Sequence, residues 1–564
     1  MKKLVSLLLA LILVMSIMPE IIAEEAPTKL TYGTVIQIGD FTDYEVFQDL
    51  EKEMNIELEY IRYDYDSLTL MLADGSFPDI MSARIEFLDG VLKSGYALNI
   101  EPYIDEYLPN MKSSLYANTN SLLQTLYPSE DNAIYICCPA VGISEYLGGT
   151  GQYRGYIVRW DYYKDLGCPP IESDEDYVNV LTEMVKMHPT DEDGNQMWAY
   201  GVNRSLRDMG GYRASFIKDV AVNLWSSGYL YHNNIIDNHL VNGFTDVPHS
   251  SYWTDMAFQN KLYRNGVYNT DVFLMDEDEY ETMVCEGRFM GLHFVYDELY
   301  QAKMEEDPNT LSAYVVVPSQ NTWLYADCNL MLGNAPAYYT FINKNSPNVE
   351  KALEFMNHMY DPDFVRTWCC GKQGESWDYI DGVPTMKTEY LEKIANRDKE
   401  WVQEKGYACC SGQLAGYMKT DMHPDGYPID LTTSRENLLA LQTPWQKDFA
   451  AYYGEEYWVD VTYKHMQGNA YDAGETISAA MTDVPMDIKR KLELCNNTLE
   501  TAMPELIMAE SDEEFAEIQE RVLQELADEG EAECWEWFNT TWEAAREIVL
   551  PVFEASCEAQ GLRK

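Results

Sequence analysis

Short apolar strands alternate with amphipathic helices near the start of this chain, and that alternation restricts the folds it can adopt. Residues 29–38 and 56–60 alternate apolar and polar side chains, which is typical of strands. Between them, a helical period places Phe47, Leu50 and Met54 on one face. A helix, a short strand and another helix follow at residues 67–73, 80–81 and 87–93. This β-α-β-α-β order requires a parallel sheet with both faces covered, and so predicts an α/β fold.

The same order predicts where a ligand would bind. In open α/β sheets, ligands sit beyond the carboxyl ends of the parallel strands. The residues that follow these strands are Asp40 to Asp43, Asp64 and Arg84. We therefore expect them at the rim of a cleft, although a solvated loop is an alternative interpretation for each one alone.

The first 23 residues have the pattern of a secretory signal. Lys2 and Lys3 precede an apolar run over 4–18, and Ala23 is a plausible cleavage position. The run is shorter than the roughly 20 residues that a spanning helix needs. The sequence thus predicts an exported protein, soluble once the signal is removed. The first cysteine is Cys137, so no lipid-attachment cysteine follows the signal.

The net charge excludes some partners. The chain has 564 residues, with 40 Lys and Arg against 94 Asp and Glu, which gives a formal charge of −54. Such a field repels nucleic acids and anionic membranes, so we expect neither as a partner. The length predicts two or more domains.

No catalytic or cofactor motif is present. The sequence lacks GxSxG, HExxH, a Walker loop and a dinucleotide fingerprint, and its eight histidines have no metal-ligand spacing. We therefore predict neither an enzyme nor a bound cofactor or metal. The 12 cysteines include adjacent pairs at 137–138, 369–370 and 409–410. We expect most of them to be buried thiols, and the sequence leaves any pairing open.

Several segments occur in the order found in one known family. They are LADGSFPDI (72–80), GYALNIEPYIDEYLPN (95–110), GYIVRWDYYKDLG (155–167), YWTDMAFQNKLYRNGVYNTDVF (252–273) and CCGKQGESWDYIDGVP (369–384). This order resembles the family-one extracellular solute-binding proteins, the carbohydrate-type, maltose-binding-protein-like capture components of ABC importers. The resemblance covers nearly all of the mature chain. It implies a two-lobed, periplasmic-binding-protein-like (type II) fold with a ligand cleft between the lobes and added C-terminal helices.

The resemblance also implies approximate domain boundaries. The signal peptide would span 1–23, the first lobe 24–152 and 292–338, and the second lobe with its C-terminal helices 153–291 and 339–564. Some relatives carry a calcium loop near 191–195. Here the loop lacks an acid at position 199 and at its twelfth position, so we predict a plain turn and no metal.

The aromatic content indicates the kind of ligand. The chain contains 42 Tyr and 13 Trp, and such rings pack on the C–H faces of sugars while arginine and carboxylate groups bond the hydroxyls. Core filling is the alternative for any single Trp. Six candidate ligand-binding residues lie in loops that the family turns toward its cleft: Asp43, Arg84, Arg204, Trp225, Trp323 and Trp377.

These observations predict a solute-binding protein that closes on a carbohydrate, an oligosaccharide, and presents it to the membrane permease of an ABC importer. We expect a monomer. Two alternatives remain open at this stage. One is an exported carbohydrate-active enzyme that uses paired carboxylates, and the other is a peptide or lipid-linked-saccharide binder on the same scaffold.

Overall fold

A computed structural model describes residues 26–36, 38–112, 124, 129, 131–139, 154–211, 213–217, 220, 222–223, 230–294, 310–325, 338–395, 399–417, 419, 421–466, 469–470, 473–482 and 484–559. The predicted signal sequence and Trp225 lie outside these residues. The strands are β1 (Thr28–Thr34), β2 (Ile56–Arg62), β3 (Ile80–Arg84), β4 (Ile157–Arg159), β5 (Trp198–Gly201), β6 (Val222–Asn223), β7 (Tyr231–Asn234), β8 (Leu240–Asn242), β9 (Phe289–Leu292), β10 (Tyr314–Val316), β11 (Leu324–Tyr325), β12 (Tyr338–Ile342), β13 (Trp377–Ile380), β14 (Val383–Met386) and β15 (Asn469–Ala470).

The helices are numbered in the same way. They are α1 (Glu45–Met54), α2 (Tyr65–Asp74), α3 (Leu88–Ser94), α4 (Ile104–Tyr107), α5 (Trp160–Asp165), α6 (Asp174–Met187), α7 (Leu206–Met209), α8 (Ser251–Arg264), α9 (Glu277–Cys285), α10 (Val349–Met359), α11 (Pro362–Cys370), α12 (Thr388–Ala395), α13 (Lys399–Lys405), α14 (Arg435–Leu441), α15 (Pro444–Tyr453), α16 (Trp458–His465), α17 (Gly474–Ala479), α18 (Met486–Ile507), α19 (Asp512–Glu529) and α20 (Glu531–Ala559). Within the described ranges, no helix has the length and apolar content to cross a membrane.

A four-stranded sheet forms the first lobe, in the order β12-β3-β1-β2. Strands β1, β2 and β3 are parallel, as the helix–strand alternation predicts, and β12 runs antiparallel to β3. Helix α1 covers the sheet with the apolar face that the sequence periodicity indicated, burying Val46, Phe47, Leu50 and Met54. Helix α3 ends at Gly95, whose φ of +68° is the left-handed conformation that glycine adopts without strain.

The second lobe has a sheet of its own. Strand β5 is parallel to β9, and β4 is antiparallel to β10. Two contacts place β4 beside β9 in the opposite direction. Arg159, at the end of β4, donates to the carbonyl of Gly287 before β9 at 2.6 Å. At the other end, Gly291 lies so close to the carbonyl of Ile157 that a Cβ would stand 2.5 Å from that oxygen.

The C-terminal helices belong to the second lobe. The Tyr252 hydroxyl of α8 donates to the carbonyl of Leu499 in α18 at 2.9 Å. The Asn260 side-chain amide, also on α8, donates to three carbonyls at the end of α18, those of Leu506, Ile507 and Ala509. These bonds satisfy carbonyls that a helix end leaves without an internal partner, so the added helices are fastened to the lobe rather than appended to it.

The described residues divide between the two hydrophobic cores differently from the predicted boundaries. Residues 310–325 lie in the second lobe, because β10 pairs with β4. The first core instead continues through residues 339–431, because β12 pairs with β3. The prediction had assigned 292–338 to the first lobe and everything from 339 to the second. As far as the described residues show, the chain passes between the cores three times, between Cys138 and Tyr156, Val317 and Tyr339, and Leu431 and Trp445.

Trp377 lies in the core of the first lobe and not in a cleft. Its side chain is 5% exposed. The indole N–H donates to the carbonyl of Gly371 at 2.9 Å, and the guanidinium carbon of Arg366 lies 5.4 Å from the ring centroid. Because both the ring and its polar atom are satisfied inside the protein, the structure supports the packing alternative for this residue.

A buried arginine joins the helices of the second lobe. Arg213 is 0% exposed, and its guanidinium donates to both carboxylate oxygens of Asp174 at 2.9 and 3.1 Å. One of its nitrogens lies 2.7 Å from Oδ1 of Asp255, and its central carbon lies 4.1 Å from the ring centroid of Phe258. Since Asp174 begins α6 and the other two residues are on α8, one cation holds both helices.

Burial raises the pKa of Asp255 to about 7, against the lowering effect of Arg213 and with a raising contribution from Asp174. A carboxyl with a raised folded-state pKa contributes stability that is complete below its unfolded pKa of 3.8. That stability is lost as the pH rises through about 7.

We predict that Asp255→Asn weakens the pH dependence of stability between pH 4 and 8, by up to about 1.4 kcal/mol per pH unit. Urea unfolding of both proteins across this range measures the difference. Asp193→Asn, in an exposed turn, is the control for losing one negative charge. Equal slopes for Asp255→Asn and the wild type would contradict the assignment.

We also predict that Trp377→Ala lowers the free energy of unfolding by about 3–5 kcal/mol, because it opens a cavity in the first core. Trp377→Phe keeps a ring while deleting the indole N–H, and should cost less. Denaturant unfolding measures both changes. Unchanged stability together with lost ligand affinity would show instead that Trp377 is a ligand-binding residue.

Candidate functional site

The topology brings one sheet edge of each lobe to the place where the chain crosses between lobes. In the first lobe, β12 begins at the edge where the parallel strands end, because Tyr338 pairs with Arg84. In the second lobe, β10 ends and β4 begins at the edge where β5 and β9 end. We call these the first-lobe edge and the second-lobe edge. Both therefore border the space between the lobes.

The first-lobe edge carries three aromatic rings, one exposed and two half-buried, together with an arginine. The guanidinium carbon of Arg84 lies 5.8 Å from the ring centroid of Tyr338. Close along the chain, Tyr65 stacks on Phe87 with centroids 5.3 Å apart and an angle of 15° between the planes. Tyr65 is 45% exposed even though it belongs to the first turn of α2. An exposed ring that is stacked on a half-buried one, with an arginine at the same edge, can receive a flat, polar, uncharged ligand.

The second-lobe edge is polar and rests on the buried arginine. The Tyr156 hydroxyl, at the start of β4, donates to Asp174 at 3.2 Å. The side-chain amide of Asn321, which follows β10, donates to that hydroxyl at 3.0 Å. The two segments that cross to the first lobe are thus tied to one carboxylate, which Arg213 holds in place.

A second buried group lies at the ends of β5 and β9. The ring of His293 is 0% exposed, and its Nδ1 lies 3.2 Å from the Tyr280 hydroxyl. Its Nε2 lies 4.0 Å from Oδ1 of Asp208 on α7. The backbone N–H of His293 donates to the carbonyl of Gly201 at 3.1 Å. Because these side chains are buried, they help to fix the positions of the ends of β5 and β9.

The structure places five of the six predicted ligand-binding residues. Asp43 is exposed in the turn before α1, and Arg84 is exposed at the end of β3. Arg204 is exposed after β5, and Trp323 is half-buried between β10 and β11. Two of the residues thus lie at the first-lobe edge and two at the second. The exceptions are Trp377, which is in the core, and Trp225, which is outside the described residues.

Three residues of the first-lobe edge were missed from the sequence: Tyr65, Phe87 and Tyr338. The first of them could have been found, since Tyr65 follows β2 directly and strand ends were the criterion used for Arg84. Tyr338 could not, because its position depends on the register of β12 against β3, a strand far away in the sequence.

In the turn at 191–195, the carboxylate of Asp191 accepts hydrogen bonds from other residues of the same turn. Oδ1 of Asp191 accepts from the backbone N–H groups of Asp193 and Asn195 at 3.0 and 2.7 Å. Oδ2 accepts from the Asn195 side chain at 2.9 Å and lies 4.0 Å from Nε of Arg288. In the part of the chain that the structure describes, no three His, Cys, Asp or Glu residues are grouped as metal ligands would be. The prediction that no metal is needed stays a prediction.

No protein-family model matches the sequence, and no curated protein sequence matches it either. Solved structures do. An HMO-binding, ABC-transporter-associated solute-binding protein from Bifidobacterium longum infantis ATCC 15697 matches with a TM-score of 0.58 and 14% identity, over 93% of this chain and 99% of that one. The S. pneumoniae ABC-transporter substrate-binding protein FusA, an EF-hand mutant in complex with fructo-nystose, matches with a TM-score of 0.56 and 15% identity, over 92% and 100%. The N-glycan transport solute-binding protein NgtS from Streptococcus pneumoniae matches with a TM-score of 0.54 and 12% identity, over 92% and 99%.

At such identities the similarity establishes the fold. It extends over the whole length of each matched chain, and it confirms the two-lobed α/β architecture that the sequence predicted. The chain has the fold of the solute-binding proteins that serve ABC transporters.

Proposed function

We propose that this protein captures an oligosaccharide outside the cell and delivers it to the permease of an ABC importer. The observation that carries the proposal is the shared fold, which covers 92% to 93% of the chain. The matched proteins are named for HMO, fructo-nystose and N-glycan ligands, and this supports a carbohydrate as the ligand here. We propose that the protein acts as an exported monomer.

The geometry of the two edges supports binding by closure. The first-lobe edge offers Arg84 and the stacked rings of Tyr65 and Phe87, while the second-lobe edge offers Arg204 and Trp323. A ligand held between these edges touches both sets only when the lobes approach. It therefore shifts an open–closed equilibrium toward the closed form by its extra contacts there.

The charge of the protein is consistent with a neutral ligand. A formal charge of −54 repels anions at a distance, so an uncharged saccharide loses nothing by approaching. Recognition then depends on short-range stacking and hydrogen bonds, which are the contacts that aromatic and guanidinium groups provide.

The first experiment is a thermal-shift screen against neutral oligosaccharides, acidic oligosaccharides and peptides. A ligand that binds only the folded protein raises the unfolding temperature, and the rise grows with the ratio of ligand concentration to Kd. The same mixtures, analysed for cleavage products, distinguish capture from hydrolysis. Stabilisation by oligosaccharides without products supports the proposal, whereas products indicate the enzyme alternative and stabilisation by peptides alone indicates the other.

We predict that Tyr65→Ala and Arg84→Ala each weaken binding of the oligosaccharide found in that screen by about 1–3 kcal/mol, or roughly 5- to 150-fold in Kd. The free energy of unfolding should change by less than about 0.5 kcal/mol, because both side chains are exposed. Calorimetric titration and denaturant unfolding measure the two quantities on the same samples.

Tyr452→Ala is the matched control for this prediction. Tyr452 is 51% exposed, close to the 45% of Tyr65. It packs against Trp160, which follows the end of β4 and so lies at the opposite end of the second-lobe sheet. Its replacement should leave the affinity unchanged. Equal losses for Tyr65→Ala and Tyr452→Ala would rule out a specific role for the first-lobe edge.

We further predict that binding needs no divalent metal, because the carboxylate of Asp191 is already used by its own turn. Removing metals with a chelator should change the Kd by less than about tenfold, or 1.4 kcal/mol. Titration calorimetry before and after chelation measures this. A larger loss that added calcium restores would show that the turn binds a metal.

A further inference from the structure

A chain of hydrogen bonds runs from the buried arginine of the second lobe to the surface of that lobe. Arg213 donates to both carboxylate oxygens of Asp174, and Asp174 accepts from the hydroxyl of Tyr156 at 3.2 Å. The side-chain amide nitrogen of Asn321 donates to that hydroxyl at 3.0 Å. Arg213 and Tyr156 are 0% exposed, whereas Asn321 is half-buried. The chain therefore begins in the core and ends at the second-lobe edge.

The order of donors and acceptors in this chain determines which way the amide of Asn321 faces. A carboxylate that is paired with an arginine only accepts, so Asp174 takes the single proton of the Tyr156 hydroxyl. That hydroxyl has only lone pairs left for Asn321. It must therefore meet the NH2 group of the amide and not its oxygen. As a result, Oδ1 of Asn321 is turned away from Tyr156.

The backbone around Asn321 is also fixed in place. Oε2 of Glu172 accepts from the hydroxyl of Ser319 at 3.1 Å and from the backbone N–H of Gln320 at 3.2 Å. The Ser319 hydroxyl oxygen accepts in turn from the backbone N–H of Asn321 at 3.0 Å. Thr322, the next residue, is 0% exposed, and its hydroxyl donates to the carbonyl of Ser319 at 3.0 Å. A ligand that bonds Asn321 therefore has little chain to order, which lowers the entropic cost of binding.

Two neighbouring side chains indicate what kind of ligand group this place fits. Trp323, the second residue after Asn321, is half-buried at the same edge. Glu172 is exposed, so its carboxylate adds a negative charge to the segment that it holds. Aromatic rings pack on the C–H faces of sugars, while hydrogen-bond acceptors bind their hydroxyl groups. Both Oδ1 of Asn321 and the carboxylate of Glu172 are acceptors, so the ligand group that meets them has to be a donor.

We propose that Asn321 is a specificity-determining residue whose Oδ1 accepts a hydrogen bond from a hydroxyl group of the bound saccharide, and that Tyr156 positions it. This inference rests on the proposed function and adds the chemistry of one subsite. A neutral sugar ring supplies the proton that Oδ1 needs. The carboxylate of a uronic acid supplies none, and it would also approach the negative charge of Glu172, so an acidic ring is disfavoured there.

The test begins with four neutral trisaccharides, maltotriose, cellotriose, mannotriose and raffinose, each titrated into the protein by calorimetry. For the one that binds most tightly, Asn321→Ala should raise the Kd about 5- to 20-fold. Asn348→Ala is the matched control and should leave the Kd unchanged. Asn348 is also half-buried, and its side-chain amide donates to the carbonyl of Lys29 at 2.9 Å. Lys29 lies near the start of β1, at the end of the sheet opposite the first-lobe edge.

Tyr156→Phe distinguishes a positioning role from a packing role. It keeps the buried ring and removes the hydroxyl that orients the amide, so the Kd should rise about two- to fivefold. The double variant with Asn321→Ala should bind no more weakly than Asn321→Ala alone, because Tyr156 acts through Asn321. Denaturant unfolding of the same samples measures any separate loss of stability. Losses of affinity that multiply in the double variant would contradict the positioning role.

Derivatives of the bound trisaccharide that each lack one hydroxyl group test the same contact from the side of the ligand. One of them should bind the wild type about 5- to 20-fold more weakly than the parent sugar, and should bind Asn321→Ala with the same Kd as the parent. The inference is overturned, while the proposed function stands, if Asn321→Ala binds the parent as the wild type does or if no derivative shows this pattern. If none of the four trisaccharides binds, the proposed function fails for neutral sugars, and this inference fails with it.

Discussion

The second lobe depends on a guanidinium group that has no contact with solvent. Arg213 joins Asp174 at the start of α6 to Asp255 on α8, and it lies against the ring of Phe258. An isolated charge at this depth would be very costly, and the two acidic side chains beside the arginine offset that cost. The same Asp174 accepts from Tyr156, which Asn321 contacts in turn. The segments that contain Tyr156 and Asn321 are therefore both linked to Asp174, which is paired with Arg213. This pair connects the second-lobe edge to α6 and α8.

The two lobes are stabilised by different kinds of side-chain contact. The first-lobe sheet is held by aliphatic and aromatic packing. Hydrogen bonds of 2.7 and 2.6 Å also join the hydroxyls of Tyr32, Ser82 and Thr340 across β1, β3 and β12. The second lobe instead combines short strands with long helices and buried polar side chains. The difference persists at the first-lobe and second-lobe edges, since the first presents aromatic rings and the second presents a hydrogen-bonded network. A ligand that touches both would meet stacking on one side and directional polar bonds on the other.

Local patterns in the sequence predicted local structure well. The order β1-α1-β2-α2-β3 was predicted because each element shows its own period. The placement of residues 310–342 failed for the opposite reason. Whether β10 joins β4 and β12 joins β3 depends on pairing between distant strands, which no local period encodes.

The residues of the candidate site could likewise be predicted only where their position depends on nearby sequence. Arg84 could be placed because it directly follows a predicted parallel strand, but its neighbour Tyr338 comes from the other end of a long insertion. Trp377 was expected in a cleft because it lies in a loop that the family turns toward its cleft. In the structure the Gly371 carbonyl accepts from the indole N–H, which allows the ring to be buried. The position of a loop therefore did not predict which way its aromatic ring would face.

The three crossings between the cores have a consequence for how the molecule assembles. The hydroxyl of Ser82 bonds that of Thr340, 258 positions later, and the core of the first lobe is complete only with Leu431. The core of the second lobe needs Trp542 and Phe553, almost at the end of the described chain. The first lobe can therefore complete its core only after Leu431 has been synthesised, and the second only near the end of α20. Such distant pairing slows folding, because each lobe stays incomplete until its last segment is available.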